Sequence, residues 1–254
     1  MTDQLRVLVA LGLGLLLLLL RLDAERFGAA EYDEADTRIP PSVRRRLAWY
    51  VLGIAIIAAV LLIYPRSAHR LPLGFGDRLG TVVIGFTYGA LGAAQAFAFA
   101  SLRYRRLRLP DPASYPGALV NAIVTAFVDE AAFRGILLGF LLSTGLEPWV
   151  AVVVQALVYT LCTRTGATGR APYMFWLSLG IGLLGGWATA ATGGIGAAFL
   201  GHAITRFAMF LVTGHAGQVA PRGAEIEEVL RRRLLPDGWR IVGSRDTEAA
   251  SRDQ

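Results

Sequence analysis

The sequence predicts an all-α protein, a polytopic bundle of about seven transmembrane helices. Of its 254 residues, 54% are hydrophobic and only 17% are charged, whereas soluble domains carry about 25% charged residues. The charges are clustered and leave several uncharged stretches of about 18 residues or more, which is the length that a bilayer core requires. We therefore expect an integral membrane protein surrounded by a lipid bilayer.

Seven apolar segments follow one another, with short polar loops between them. The third is rich in Gly and Ala, and such small residues let neighbouring membrane helices approach closely. In order, the segments are Val7–Leu20, Leu47–Tyr64, Leu79–Leu102, Pro116–Leu142, Trp149–Thr163, Tyr173–Thr192 and Ile195–Thr213.

The chain divides into four predicted regions. The leucine-rich first segment is short enough to be the core of a signal peptide, but no net positive charge precedes it, which favours a retained span. In the tail, we expect a short amphipathic helix over Ala224–Leu235 and a disordered end over Gly243–Gln254. The regions are an N-terminal transmembrane segment (1–22), a polar linker (23–46), a transmembrane bundle (47–215) and a cytoplasmic tail (216–254).

The basic residues indicate the orientation. All 25 are arginines, and most lie in loops that fall on one side of the predicted bundle, a set that includes Arg21 at the end of the first apolar run. That side is predicted to be cytoplasmic and to hold the C-terminus, in a bacterial inner (plasma) membrane. The net charge of +6 comes from arginines that lie beside the apolar segments, where they can bind anionic lipid headgroups. No nucleic-acid partner is therefore expected.

Two of the apolar segments contain ionisable residues, which are costly inside a membrane and mark functional sites. Glu130 and Arg134 are four residues apart, so they are predicted to form an ion pair. Asp129 points about 100° away and is available to another partner. His202 and Arg206 share one face of the seventh segment, and a rise of about 1.5 Å per residue brings His202 to a depth similar to that of Asp129.

These residues carry a family resemblance. The string Asp-Glu-Ala-Ala-Phe-Arg-Gly at 129–135 resembles the Glu-Glu-x-x-Phe-Arg-Gly signature of the CPBP family of intramembrane proteases, also called the CAAX-protease-like or Abi family. That family continues with a Phe-x-x-x-His motif and a His-x-x-x-Asn/Asp motif. Here residues 159–163 stand at the second position and residues 202–206 at the third. The resemblance covers roughly residues 75–215.

The resemblance implies that a buried carboxylate and histidines activate water for peptide hydrolysis. Asp129 would be the base, Glu130 and Arg134 a structural pair, and His202 an oxyanion or metal group. The catalytic candidates are thus Asp129, Glu130 and His202, and the supporting positions are Arg134, Tyr159, Thr163 and Arg206.

Three positions depart from the family pattern. Asp129 is one methylene shorter than the usual Glu, and a misplaced base is costly to catalysis. Thr163 replaces a histidine and cannot act as a base, and Arg206 brings a positive charge that repels a cation. One histidine and two carboxylates are too few for a catalytic zinc site, so neither a metal nor another cofactor is expected.

The sequence leaves the function open between several alternatives. The chain is either an intramembrane protease with an altered site, hydrolysing membrane-associated peptides, or an inactive relative that serves as a binding or assembly subunit for a membrane-protein partner. A transporter is less favoured because no inverted repeat is found. We also hypothesise that Asp129 pairs with Arg206 across helices, within a network of two negative and two positive charges that balances to zero.

Overall fold

The chain divides into two units, residues 1–219 and 220–254. The second unit, with the predicted helix Ala224–Leu235 and the predicted disordered end, lies outside the described residues. The computed structural model describes residues 2–24, 26–29, 33–34, 43–104, 115–164, 172–213 and 218–219.

The first unit is a bundle of helices, as predicted, and each predicted apolar segment forms helix. One short parallel pairing was not predicted: β1 (Asp33–Glu34) lies beside β2 (Gln218–Val219). The helices are α1 (Asp3–Leu22), α2 (Val43–Ile63), α3 (Ser67–Arg70), α4 (Arg78–Tyr104), α5 (Tyr115–Glu130), α6 (Leu138–Ser143), α7 (Pro148–Arg164), α8 (Pro172–Thr192) and α9 (Gly196–Thr213).

Several of these helices suit a bilayer. Within the described residues, α1, α2 and the Arg78–Ala98 part of α4 are long and apolar enough to cross a membrane, and Pro148–Thr163 and Gly196–Val212 are shorter apolar helices. Large apolar side chains also face outward, among them Leu8 and Leu15 of α1, which are 65% and 63% exposed. An exposed leucine face of this extent is suited to lipid rather than water. The fold is therefore a helical membrane bundle.

The close approach predicted for the third apolar segment occurs between α4 and α9. A Cβ atom added to Gly89 would lie 2.7 Å from Cδ1 of Ile204, and one added to Gly92 would lie 1.8 Å from Oγ1 of Thr205. Neither contact leaves room for a side chain. The glycines thus allow α4 to lie directly against the helix that carries the histidine of the third motif.

The fourth apolar segment is not one regular helix. After α5 ends at Glu130, a π-helical turn covers Ala131–Leu137 before α6 begins. Segments of π-helix are uncommon and occur often at functional sites. The turn starts directly after the acidic pair and carries Arg134, so the irregular backbone coincides with the first motif.

Helix α1 packs one face into the bundle, and most of its leucines lie outside that face and are exposed. Trp49 of α2 fixes the end of α1, because its indole Nε1 donates a hydrogen bond to the carbonyl oxygen of Leu20 at 3.0 Å. The next residue along the chain, Arg21, is thereby held on the inner side. The buried residues of α1 recur at helical spacing and are Ala10, Gly14, Leu17 and Arg21.

Candidate functional site

Asp129 is buried and paired with two arginines. Nε of Arg21 lies 3.0 Å from Oδ1 of Asp129, and Nη1 of Arg206 lies 3.5 Å from Oδ2. The side chains of both arginines are 3% exposed and that of Asp129 is 1% exposed. The hypothesised pairing of Asp129 with Arg206 is confirmed. The contribution of Arg21 was not predicted.

Glu130 has a separate pair of partners. Nη1 of Arg134 lies 3.1 Å from Oε1 of Glu130, so the predicted ion pair is present. Nδ1 of His202 lies 2.6 Å from the same oxygen. All three side chains are fully buried. This contact also confirms that the fourth and seventh apolar segments bring their polar residues to one depth.

Arg134 is held from several sides. Its Nη2 donates a hydrogen bond to the carbonyl oxygen of Ile181 at 3.2 Å, and its guanidinium carbon lies 4.3 Å from the ring centroid of Tyr159. That ring meets Phe133 edge to face, with centroids 5.1 Å apart. A Cβ atom on Gly185 would lie 2.9 Å from Nε of Arg134. Tyr159 therefore supports Arg134 through a cation–π contact.

Thr163 takes the place of the histidine in the second motif. Its hydroxyl donates to the carbonyl oxygens of Tyr159 and Thr160, each at 2.9 Å. Both carbonyls belong to α7 itself, so the side chain bonds back to its own helix. This arrangement is common for threonine within a helix, and a hydroxyl used in this way does not supply the base that an imidazole would.

Arg21 is the site residue that the sequence analysis missed. It was counted with the loop arginines because it follows the apolar run directly. With Arg21 included, three guanidinium groups face two carboxylates in the site, so the predicted balance of two charges of each sign was wrong. A signal was present: Ala10 and Gly14 mark the packing face of a leucine helix, and Leu17 and Arg21 continue that face.

The donor set does not suit a divalent cation. Among the described residues, no group of three or more His, Cys, Asp or Glu side chains is placed to hold a metal ion. The carboxylate oxygens of Asp129 face guanidinium groups instead, and these positive charges repel a cation. His202 is the one histidine that the described residues bring to the site.

The fold and the site together define a helical membrane protein whose interior holds two carboxylates, three arginines and a histidine. Residues 111–208 match the family described as Rce1-like, Type II CAAX prenyl endopeptidase Rce1-like. This match confirms the predicted resemblance to the CPBP family over the matched part of the chain. The matched segment contains all three motif positions. No curated protein and no solved structure matches the chain.

Proposed function

We propose that this CAAX-protease-like protein does not hydrolyse peptides and instead serves as a binding or assembly subunit of a membrane complex. The pairing of Asp129 carries the proposal. A general base must accept a proton from water, but each oxygen of this carboxylate faces a guanidinium group. Nearby positive charges favour the ionised form of a carboxylate, and Nη1 of Arg206 also donates a hydrogen bond to Oδ2. Asp129 is therefore a structural anion rather than a base.

The other two motif positions support the same conclusion. Thr163 uses its hydroxyl on the backbone of α7, so the second motif offers no imidazole to water. Arg206, where the family has Asn or Asp, is used to bind Asp129. The three altered positions thus serve ion pairing and helix stability instead of the activation of water.

A hydrolase remains the second candidate function, and one observation favours it. Oε1 of Glu130 lies 2.6 Å from Nδ1 of His202, and a carboxylate that orients an imidazole is a recurring arrangement in hydrolases. In this alternative, His202 would take the proton from water and Glu130 would hold the ring. The same contact has a structural explanation, because Glu130 is also the partner of Arg134.

Peptide cleavage by the purified protein separates the two candidates. The wild type and the variants Asp129→Ala, Glu130→Ala and His202→Ala are reconstituted in lipid nanodiscs with a panel of membrane-tethered fluorogenic peptides. We expect the wild type to show no cleavage above the level of the three variants, with its thermal unfolding transition intact. Cleavage by the wild type that all three substitutions abolish would overturn the proposal.

The assembly role has its own test. The distribution of arginines supports a plasma membrane location with the C-terminus in the cytoplasm. Affinity purification of the full chain from native membranes in mild detergent should recover one membrane protein at constant stoichiometry. Recovery of the chain alone, across detergents that preserve its fold, would contradict an obligate subunit.

A further inference from the structure

An apolar groove runs between α1 and the segment formed by the π-helical turn and α6. Its volume is about 400 Å³, within the roughly 300–1,000 Å³ of sites that enclose a ligand. Leu11 and Leu15 of α1 form one wall, and Ile136 of the turn and Leu141 of α6 belong to the other. Leu11 and Leu15 are also exposed. The groove therefore opens sideways, on the leucine face of α1 that is suited to lipid.

The side chains that line the groove, all within the described part of the chain, leave no hydrogen-bond donor free. Three of them carry hydroxyl groups, and each hydroxyl already donates within the protein. That of Tyr64 donates to Oγ of Ser143 at 3.1 Å. Ser143 donates to the carbonyl oxygen of Phe140, and Thr144 to that of Leu141, each at 2.7 Å. A non-helical peptide would bring carbonyl groups that find no donor here, so the lining favours hydrocarbon.

The groove has the length of one leaflet of a bilayer. It extends along α1 from Val7 to Leu18, which is about 16 Å at a rise of about 1.5 Å per residue. Half of a hydrocarbon core of about 30 Å is about 15 Å. Because α1 begins at Asp3, Val7 lies near one membrane surface and Leu18 near the midplane. A transmembrane helix of a partner would cross both leaflets, whereas an acyl chain ends at this depth.

The end of the groove at the membrane surface has a positive charge beside it. Arg6 immediately precedes Val7, and its Nε donates a hydrogen bond to the carbonyl oxygen of Ile63 at 2.8 Å. The residue after Ile63 is Tyr64, which lines the groove. The ion pair of Arg6 with the exposed Asp3 is loose, since Nη1 lies 3.7 Å from Oδ1. Arginines near helix ends extend to the membrane interface, where the phosphate groups of phospholipids lie.

We propose that this groove binds one acyl chain of a phospholipid from the leaflet in which α1 begins. The chain lies between α1 and the π-helical turn, and the phosphate group stays at the membrane surface beside Arg6. The chain thereby fills the space between the helix that carries Arg21 and the turn that carries Arg134, and it stabilises the packing of α1 on the bundle. The inference is independent of whether the protein cleaves peptides.

Two matched pairs of variants test the two walls of the groove. Leu11→Trp enlarges a lining side chain of α1, whereas Leu8→Trp makes the same change on the exposed face outside the groove. Leu141→Trp and Leu142→Trp are the second pair, because Leu141 lines the groove and its neighbour does not. Thermal unfolding in detergent without added lipid shows whether each variant is folded.

The probe is a phosphatidylethanolamine with a diazirine halfway along one acyl chain. It is mixed as a minor component into nanodiscs of phosphatidylethanolamine and phosphatidylglycerol, and the adducts formed on irradiation are located by peptide mass spectrometry. Separately, unlabelled phosphatidylethanolamine is added to delipidated protein in mild detergent, and native mass spectrometry counts the phospholipids that remain bound. A lipid that binds the folded protein also raises its unfolding temperature.

We expect the wild type, Leu8→Trp and Leu142→Trp to retain one phospholipid and to unfold at a higher temperature when lipid is added. Their adducts should concentrate on the lining residues of α1 and of the π-helical turn. Leu11→Trp and Leu141→Trp should lose both the retained lipid and the temperature shift. If a lining variant does not fold, the adducts of the wild type alone decide.

Equal lipid retention in all four variants, or wild-type adducts spread evenly around α1, would overturn the proposal. So would a copurifying polypeptide that excludes the labelled lipid from the groove.

Discussion

Two adjacent carboxylates on one helix have different partners. Asp129 is bound by Arg21 from α1 and Arg206 from α9, so its contacts join helices that are far apart in the chain. Glu130 is bound by Arg134, four residues further along its own segment, and by His202. The two neighbouring carboxylates therefore have different structural roles. Asp129 connects the N-terminal helix to the bundle, whereas Glu130 holds the side chains of Arg134 and His202 together. We call Asp129 with Arg21 and Arg206 the Asp129 half of the site, and Glu130 with Arg134 and His202 the Glu130 half.

The Glu130 half should be the more sensitive to substitution, and the largest effect is predicted for Arg134→Met. The change leaves Glu130 buried with one partner fewer, and removal of one member of a buried ion pair costs about 3–5 kcal/mol. The hydrogen bond to the Ile181 carbonyl and the contact with the Tyr159 ring are lost as well. Reversible unfolding in bicelles, followed by steric trapping, measures the loss.

A matched double variant shows how much of that loss in stability comes from leaving the carboxylate of Glu130 without its arginine. Glu130→Gln combined with Arg134→Met replaces both charges, so the uncompensated carboxylate disappears while the volume is nearly kept. We expect the double variant to be more stable than Arg134→Met alone. If both proteins unfold with the same free energy as the wild type, the Glu130–Arg134 pair has no structural role.

The Glu130 half could be predicted from the sequence because its information is local. Residues four apart on a helix face each other whatever the rest of the fold does, so the Glu130–Arg134 pair followed from spacing alone. The π-helical turn over Ala131–Leu137 did not follow, because an i→i+5 backbone pattern has no distinctive residue signature. The motif resemblance, which family comparison confirms over residues 111–208, identified His202 as a site residue but did not predict its contact with Glu130.

The Asp129 half was predicted only in part because it depends on the packing of distant helices. Arg206 was identified as a partner since it is one of few intramembrane charges. Arg21 was not, because an arginine at the end of an apolar run is ordinarily a topology signal. Its burial depends on how α1 docks, with Ala10 and Gly14 facing inward, and on the anchoring of Leu20 by Trp49.

The strength of the contact between α1 and the rest of the bundle can be measured at the Arg21–Asp129 ion pair. A double-mutant cycle of Arg21→Leu and Asp129→Asn isolates the energy of this pair from the other contacts of either residue. We expect a coupling of about 2 kcal/mol, at the lower end of the couplings found for close charge pairs. Arg6→Leu, on the same helix but partly exposed at the opposite end, is the control and should show no coupling to Asp129→Asn.

Arg206 should contribute less to the Asp129 half than Arg21 does. Its Nη1 lies 3.5 Å from Oδ2, whereas Nε of Arg21 lies 3.0 Å from Oδ1, so the Coulombic attraction of Arg206 is expected to be the weaker. In the equivalent cycle of Arg206→Asn and Asp129→Asn, we expect a coupling of about 1 kcal/mol or less.

Because Arg206→Asn also restores the residue of the family motif, the same protein tests whether this guanidinium group alone suppresses hydrolysis. With Arg21 still bound to Oδ1, Arg206→Asn should remain without peptidase activity. Activity in this single variant, absent from Arg206→Asn combined with Asp129→Ala, would identify Arg206 rather than Arg21 as the residue that keeps Asp129 from acting as a base.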